Sequence, residues 1–159
     1  SVGKIDIYEA YAEIKKIREI RQFGGVLYGL SFVGVALFFT MMLGGDFMDC
    51  MAAGVAGLAM AITQWILMPF GFNSFFLNMI STLSMALTAV SFQRFVLPNI
   101  NIDLVIIGGI MPIVPGVVFT TAMRDTLNGD YTAGVSRMLE TGVTAFAVAV
   151  GVALAYVIL

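Results

Sequence analysis

Residues Leu104–Met123 read LVIIGGIMPIVPGVVFTTAM, an apolar run long enough to cross a bilayer. Pro112, Pro115 and Gly116 stand at its middle. Each proline lacks an N–H and clashes with the carbonyl four residues back. The carbonyls of Gly108 and Met111 are therefore expected to lose their helical partners. At membrane depth, free backbone groups survive only inside protein or around a wet cavity. Discontinuous helices of this kind build substrate sites in transporters. The plainer alternative is a packing kink.

Outward from this run, the chain has the composition of a membrane protein. Of its 159 residues, 60% are hydrophobic and 11% charged. Its mean hydropathy is +0.98. A bilayer can solvate that much apolar surface, whereas a soluble domain cannot hide it. The net charge is −2, and no basic stripe interleaved with aromatics points to nucleic acid. There is no histidine, which excludes His-based triads and His-containing metal sites. The single cysteine, Cys50, has no internal disulfide partner. No phosphate loop or nucleophile motif is present, so no enzyme chemistry and no cofactor or metal is expected.

Five spans are predicted: Phe23–Leu43, Phe47–Met68, Asn73–Val96, Leu104–Met123 and Thr132–Ile158. The expected fold is all-α and polytopic. It comprises a lead-in helix within residues 1–22 and a five-span domain over residues 23–159. In the lead-in, Asp6 and Glu9 have capping-box spacing. Ile7, Ala10, Ile14 and Ile17 recur at helical spacing, with charge on the other faces. The charged N-terminus does not read as a cleavable signal peptide. The chain opens with Ser, as a processed or partial sequence does.

The links GGD, PFGF, LPNIN and RDTLNGDY are short and turn-rich, so successive spans should be antiparallel neighbours. With a cytoplasmic N-terminus, Lys4, Lys15, Lys16, Arg18, Arg21, Arg124 and Arg137 all fall inside, and only Arg94 falls outside. That asymmetry predicts the orientation and a multi-pass inner-membrane location. An odd number of spans and the absence of an internal repeat predict assembly, either as a homo-oligomer or with a complementary membrane domain.

Small residues at four-residue spacing, such as Gly25/Gly29, Ala53/Gly57 and Ala147/Gly151/Ala155, allow close helix packing. Polar groups are more pointed, because ionisable residues at depth face a cavity or a partner. Glu140 follows Arg137 by three residues, and the two are expected to pair. Asp46 and Asp103 read as interfacial. Asp49, Asp125 and Glu140 are the candidate proton carriers. Gln64, Asn73, Asn78 and Gln93 are expected to bond between helices or to line a path. The densest constellation runs from Pro112 to Asp130. A half-helix starting near Pro115 would offer free N–H groups to an anion. Gly108, Met111, Pro112, Pro115, Gly116 and Thr120 form the candidate substrate pathway. Arg124, Asp125, Asn128, Asp130, Glu140 and Asp49 form the candidate gate or coupling set. Arg124 stands about 14 Å along a helix from Pro115, at the cytoplasmic mouth. Asn128-Gly129 is a tight-turn signal.

The stretch Ile110–Leu154, IMPIVPGVVFTTAMRDTLNGDYTAGVSRMLETGVTAFAVAVGVAL, closely resembles the signature of the threonine/serine exporter family. The resemblance extends back through GGD at Gly44–Asp46 to the lead-in near Glu9 and covers essentially the whole chain. It implies a secondary exporter of small hydrophilic metabolites, with threonine, serine or a dicarboxylate such as succinate as substrate. It also implies a second membrane domain, fused or separate, and a soluble segment upstream, so that this chain corresponds to the membrane core of the first half. The matching residues are Pro112, Pro115, Gly116, Arg124, Asp125, Asn128, Gly129 and Asp130. Two other readings stand beside the proton-coupled exporter. One is a structural or assembly subunit with no substrate pathway. The other is a channel, for which no charged ring or filter sequence is present. A polar cavity at the break is expected of transport, and a dry, packed one of assembly.

Overall fold

The computed structural model describes residues 25–159, and the predicted lead-in helix lies outside the described residues. Six α-helices follow in order. They are α1 (Gly25–Met42), α2 (Phe47–Leu67), α3 (Ser74–Phe95), α4 (Ile102–Ile110), α5 (Gly116–Leu127) and α6 (Tyr131–Ile158). A short 3-10 turn, Met68–Phe70, ends α2. Four helices are long and apolar enough to cross a membrane: α1, α2 with its 3-10 turn, α3 and α6. The expected fifth span is interrupted at its prolines, as its sequence predicts. It is divided into α4, of nine residues, and α5, of twelve. Each is shorter than the roughly 20 residues a hydrocarbon core needs.

The turns form where backbone freedom is available. Gly44 and Gly129 adopt φ of +89° and +90°, values that L side chains rarely reach. Asn73, Asn101 and Asp130 cap the next helices, accepting from the N–H groups of Phe75, Leu104 and Ala133.

Helices α1 to α4 surround one core of Phe32, Ala36, Ala52, Ala53, Ala56, Met60, Met85, Val105 and Ile106. Its contacts are close because many of its members are small. A Cβ on Gly57 would lie 2.9 Å from the Ala36 Cβ and 3.0 Å from the Phe32 carbonyl oxygen. A Cβ on Gly109 would lie 2.7 Å from the Met85 sulfur. Outside this group, α6 packs along α3. Its Ala147, Gly151 and Ala155 are buried. A Cβ on Gly151 would meet the Met79 carbonyl oxygen at 2.6 Å. The two helices run the same way: Phe75, near the start of α3, stacks on Phe146, midway along α6, and Arg94, near the end of α3, donates to the carbonyl of Leu159, which follows α6. Small residues that let backbones meet do the joining that hydrophobic burial does in water. A Cβ on Gly29, by contrast, would meet nothing within 4 Å among the described residues. Large apolar side chains such as Leu30, Phe38, Ile62 and Trp65 point outward, as lipid-facing residues do.

Gly108 shows how little room α4 has. A Cβ there would lie 2.0 Å from Thr40 Oγ1 and 3.0 Å from the Ala36 carbonyl oxygen. Around Gly142, nothing lies within 4 Å. Gly108→Ala should therefore destabilise the fold by about 1–3 kcal/mol through overpacking. Gly142→Ala should leave stability unchanged or slightly raised. Thermal unfolding of the two variants in detergent checks this, and equal midpoints would contradict the close α1–α4 contact.

Candidate functional site

Helix α4 ends at Ile110, two residues before the first proline. The chain then turns without a regular helix until Gly116. The Met111 N–H reaches the Gly108 carbonyl at 3.3 Å. The Gly108 carbonyl was expected to be freed by Pro112. The tightened last turn supplies it with a new donor instead. The N–H groups of Ile113 and Val114 both reach the Ile110 carbonyl, at 3.0 and 3.2 Å. The Gly116 N–H reaches the Val114 carbonyl at 2.8 Å across Pro115. Pro115 itself has φ −82° and ψ 55°, the inverse γ-turn geometry. These local bonds use up the donors. Among the described residues, no backbone N–H reaches the carbonyls of Met111, Pro112 or Ile113. The break thus presents a run of acceptors followed at once by the start of α5.

The two sides of the break differ. Helix α4 packs on α1, α2 and α3, whereas α5 packs extensively along α6 alone. Only Ala122 of α5 is buried. Between α4 and α6 lies a cleft of about 500 Å³. Ile106, Ile110, Val114 and Pro115 form one wall, and Ala145, Val148, Ala149, Val152 and Ala153 the other. All these side chains are apolar, so the backbone at the break is the polar feature of this region.

The residues singled out in the sequence divide into three groups. Met111, Pro112, Pro115 and Gly116 stand together at the break. Gly108 lies one turn earlier, buried against α1. Thr120 is exposed on α5, and its hydroxyl, like that of Thr121, donates to the Val117 carbonyl. Both hydroxyls are therefore back-bonded to their own helix.

The second group lies at the far end of the α5–α6 hairpin. Asp125 accepts from the Arg137 guanidinium at 2.5 Å. Arg137 had been expected to pair with Glu140. The bridge runs across the hairpin instead, because Gly134 lets α6 close onto α5. A Cβ at Gly134 would lie 2.2 Å from Thr126 Oγ1. Asp130 caps α6, and Asn128 ends α5. Arg124 and Glu140 are exposed, and among the described residues neither is in an ion pair.

Asp49 is the third case. It lies in the first turn of α2, far along the chain from the break, and is only 5% exposed. Its Oδ2 accepts from the Asp46 N–H at 3.0 Å, and its Oδ1 from the Asn101 N–H at 2.8 Å. Sequence spacing gave no sign of the second bond. Two further polar candidates make bonds to other parts of the chain. Gln64 accepts from the Tyr28 hydroxyl, and Gln93 donates to the Ile100 carbonyl at 3.3 Å.

A bundle of helices, four of them long and apolar enough to cross a bilayer, defines a polytopic α-helical membrane protein. The family model described as "Putative threonine/serine exporter" (ThrE) matches residues 1–159, and the chain belongs to that family. No curated protein and no solved structure shows significant similarity to it.

The ion pair gives a test of the hairpin. Arg137 is 44% exposed and Asp125 19%. Such a pair contributes about 0.2–1 kcal/mol. Asp125→Asn should speed amide hydrogen exchange in the 124–137 turn by up to about fivefold. The double exchange Asp125→Arg with Arg137→Asp should recover part of the protection. Equal exchange in all three proteins would show that the bridge holds nothing.

Proposed function

We propose that the chain is the membrane core of a secondary exporter, and that its substrate passes the break at Pro112–Gly116. Threonine and serine are the favoured substrates, with small dicarboxylates such as succinate as further candidates. The carrying observation is the row of carbonyls at Met111, Pro112 and Ile113 with no backbone donor, in a segment flanked by lipid-facing helices. Each such group left in hydrocarbon would cost several kcal/mol. A polar occupant or water therefore supplies the missing donors. An ammonium group suits these acceptors. A carboxylate suits the start of α5, where free N–H groups and the helix dipole both favour negative charge.

Coupling to protons needs an ionisable group that can reach water. Glu140 fits this best, being exposed on α6. Asp125 is held by Arg137, and both Asp49 oxygens are held by backbone N–H groups. The basic residues favour a cytoplasmic N-terminus in the inner membrane. Arg124, Asp125, Asn128 and Asp130 then lie at a cytoplasmic gate.

The apolar walls of the cleft beside the break favour a second reading, in which the chain is an assembly subunit. The two readings meet if a second copy or a complementary membrane domain fills the cleft and completes a polar path. They separate in the double variant Pro112→Ala/Pro115→Ala, which restores the missing donors and permits a continuous helix. That protein should insert and fold but lose threonine counterflow in membrane vesicles. In the same assay, Glu140→Gln should keep counterflow and lose export driven by a pH gradient. Wild-type transport by the proline variant would reduce the break to a packing kink and favour the assembly reading.

A further inference from the structure

The break has one fixed side, and a single buried carboxylate fixes it. Helix α4 begins at Ile102, capped by Asn101. Its start is tied to the corner between α1 and α2 by several contacts at once. Asp49 Oδ1 accepts from the Asn101 N–H at 2.8 Å, across 52 positions of sequence. Asp49 Oδ2 accepts from the Asp46 N–H at 3.0 Å, so both oxygens are used. Thr40 Oγ1, which donates to the Ala36 carbonyl at 2.9 Å, also stands 3.4 Å from the Leu104 carbonyl oxygen. Gly45 lets this corner close: a Cβ there would lie 2.7 Å from Thr40 Cγ2 and 3.2 Å from Asp49 Cβ. A turn and a half further on, Gly108 seats α4 against α1. Nothing comparable holds α5, whose extensive contacts are with α6 alone.

We infer that Asp49 is a positioning residue: it clamps the start of α4 and so sets the depth of the Met111–Gly116 break. A buried carboxylate costs free energy unless its lone pairs are used. Here both oxygens are used by backbone N–H groups, one from each of two loops. The starts of α2 and α4 therefore cannot separate without stripping the buried Oδ1 of its donor. With only nine residues in α4, a shift at Asn101 passes directly to the break. In this arrangement α4 is the fixed post of the discontinuous span, and movement belongs to α5. The inference rests on the exporter reading for its effect on substrate, but the clamp itself is read without transport.

The test separates a clamp from a proton carrier by replacing the clamp with a covalent bond that cannot titrate. In a Cys50→Ala background, Asp49→Cys and Asn101→Cys are combined. The reduced form lacks the carboxylate; the oxidised form regains the tie between the two loops. Amide hydrogen exchange over residues 98–116 should be faster in the reduced form and return on oxidation. The KM for L-threonine counterflow in membrane vesicles should rise about tenfold on reduction, because small misplacements of binding groups are costly. It should return to within about twofold on oxidation. A mere loss of folded protein would lower the maximal rate and leave KM alone. Asp49→Asn keeps one acceptor oxygen and should fall between the two forms. An unchanged KM in the reduced form would overturn the inference. So would a KM that stays raised after oxidation, which would mean that the carboxylate itself acts. If the background protein shows counterflow of neither threonine nor succinate, the exporter reading fails. The exchange arm then decides alone, and unaltered exchange at 111–116 would overturn the clamp.

Discussion

In hydrocarbon, a backbone carbonyl has no water to turn to, and that constraint shapes this chain. Four helices meet it by running unbroken across the apolar span. The segment between Ile110 and Gly116 does not. Its prolines remove donors, and the remaining N–H groups turn back onto Gly108, Ile110 and Val114. Three carbonyls are left over in the middle of a segment that is otherwise apolar. The rest of the architecture can be read as support for that cost.

Support comes from how closely the helices meet. Gly57, Gly108 and Gly109 let α1 to α4 close into one core with little side-chain volume between them. Gly151 does the same for α6 on α3. Contacts of this kind tolerate no added methyl group, so they hold helices at fixed spacing. They also leave the molecule lopsided. Helix α4 is packed on three helices, and α5 packs extensively on α6 alone. A break between a held half and a lightly held half is suited to alternating access, where one part moves against another.

The parts of this arrangement that depend on local chemistry were legible in the sequence. Two prolines three residues apart announced the break, and Asn128-Gly129 announced the turn that Gly129 makes at φ +90°. The spacing of Ala147, Gly151 and Ala155 announced a packed face. The same spacing misled at Gly29, where a Cβ would meet no described residue within 4 Å, because spacing does not say whether a neighbour is present. Contacts between distant positions were not legible. Arg137 had Glu140 three residues away and Asp125 twelve away, and only the fold shows that Asp125 is the partner. Asp49 looked like an interfacial carboxylate or a proton carrier. Its bond to the Asn101 N–H joins two loops whose meeting no periodicity encodes. The break in the expected fifth span was announced by its prolines, whereas the close packing of the first piece on three helices was not.

The central claim is that the break is a hydrated, substrate-bearing gap. Single cysteines at Ile113 and, as a lipid-level control, at Ile107 can be placed in a Cys50→Ala background and treated with a small hydrophilic thiol reagent in membrane vesicles. The account predicts rapid labelling at Ile113, slowed several-fold by L-threonine, and little labelling at Ile107. Equally slow labelling at both positions, indifferent to threonine, would contradict it.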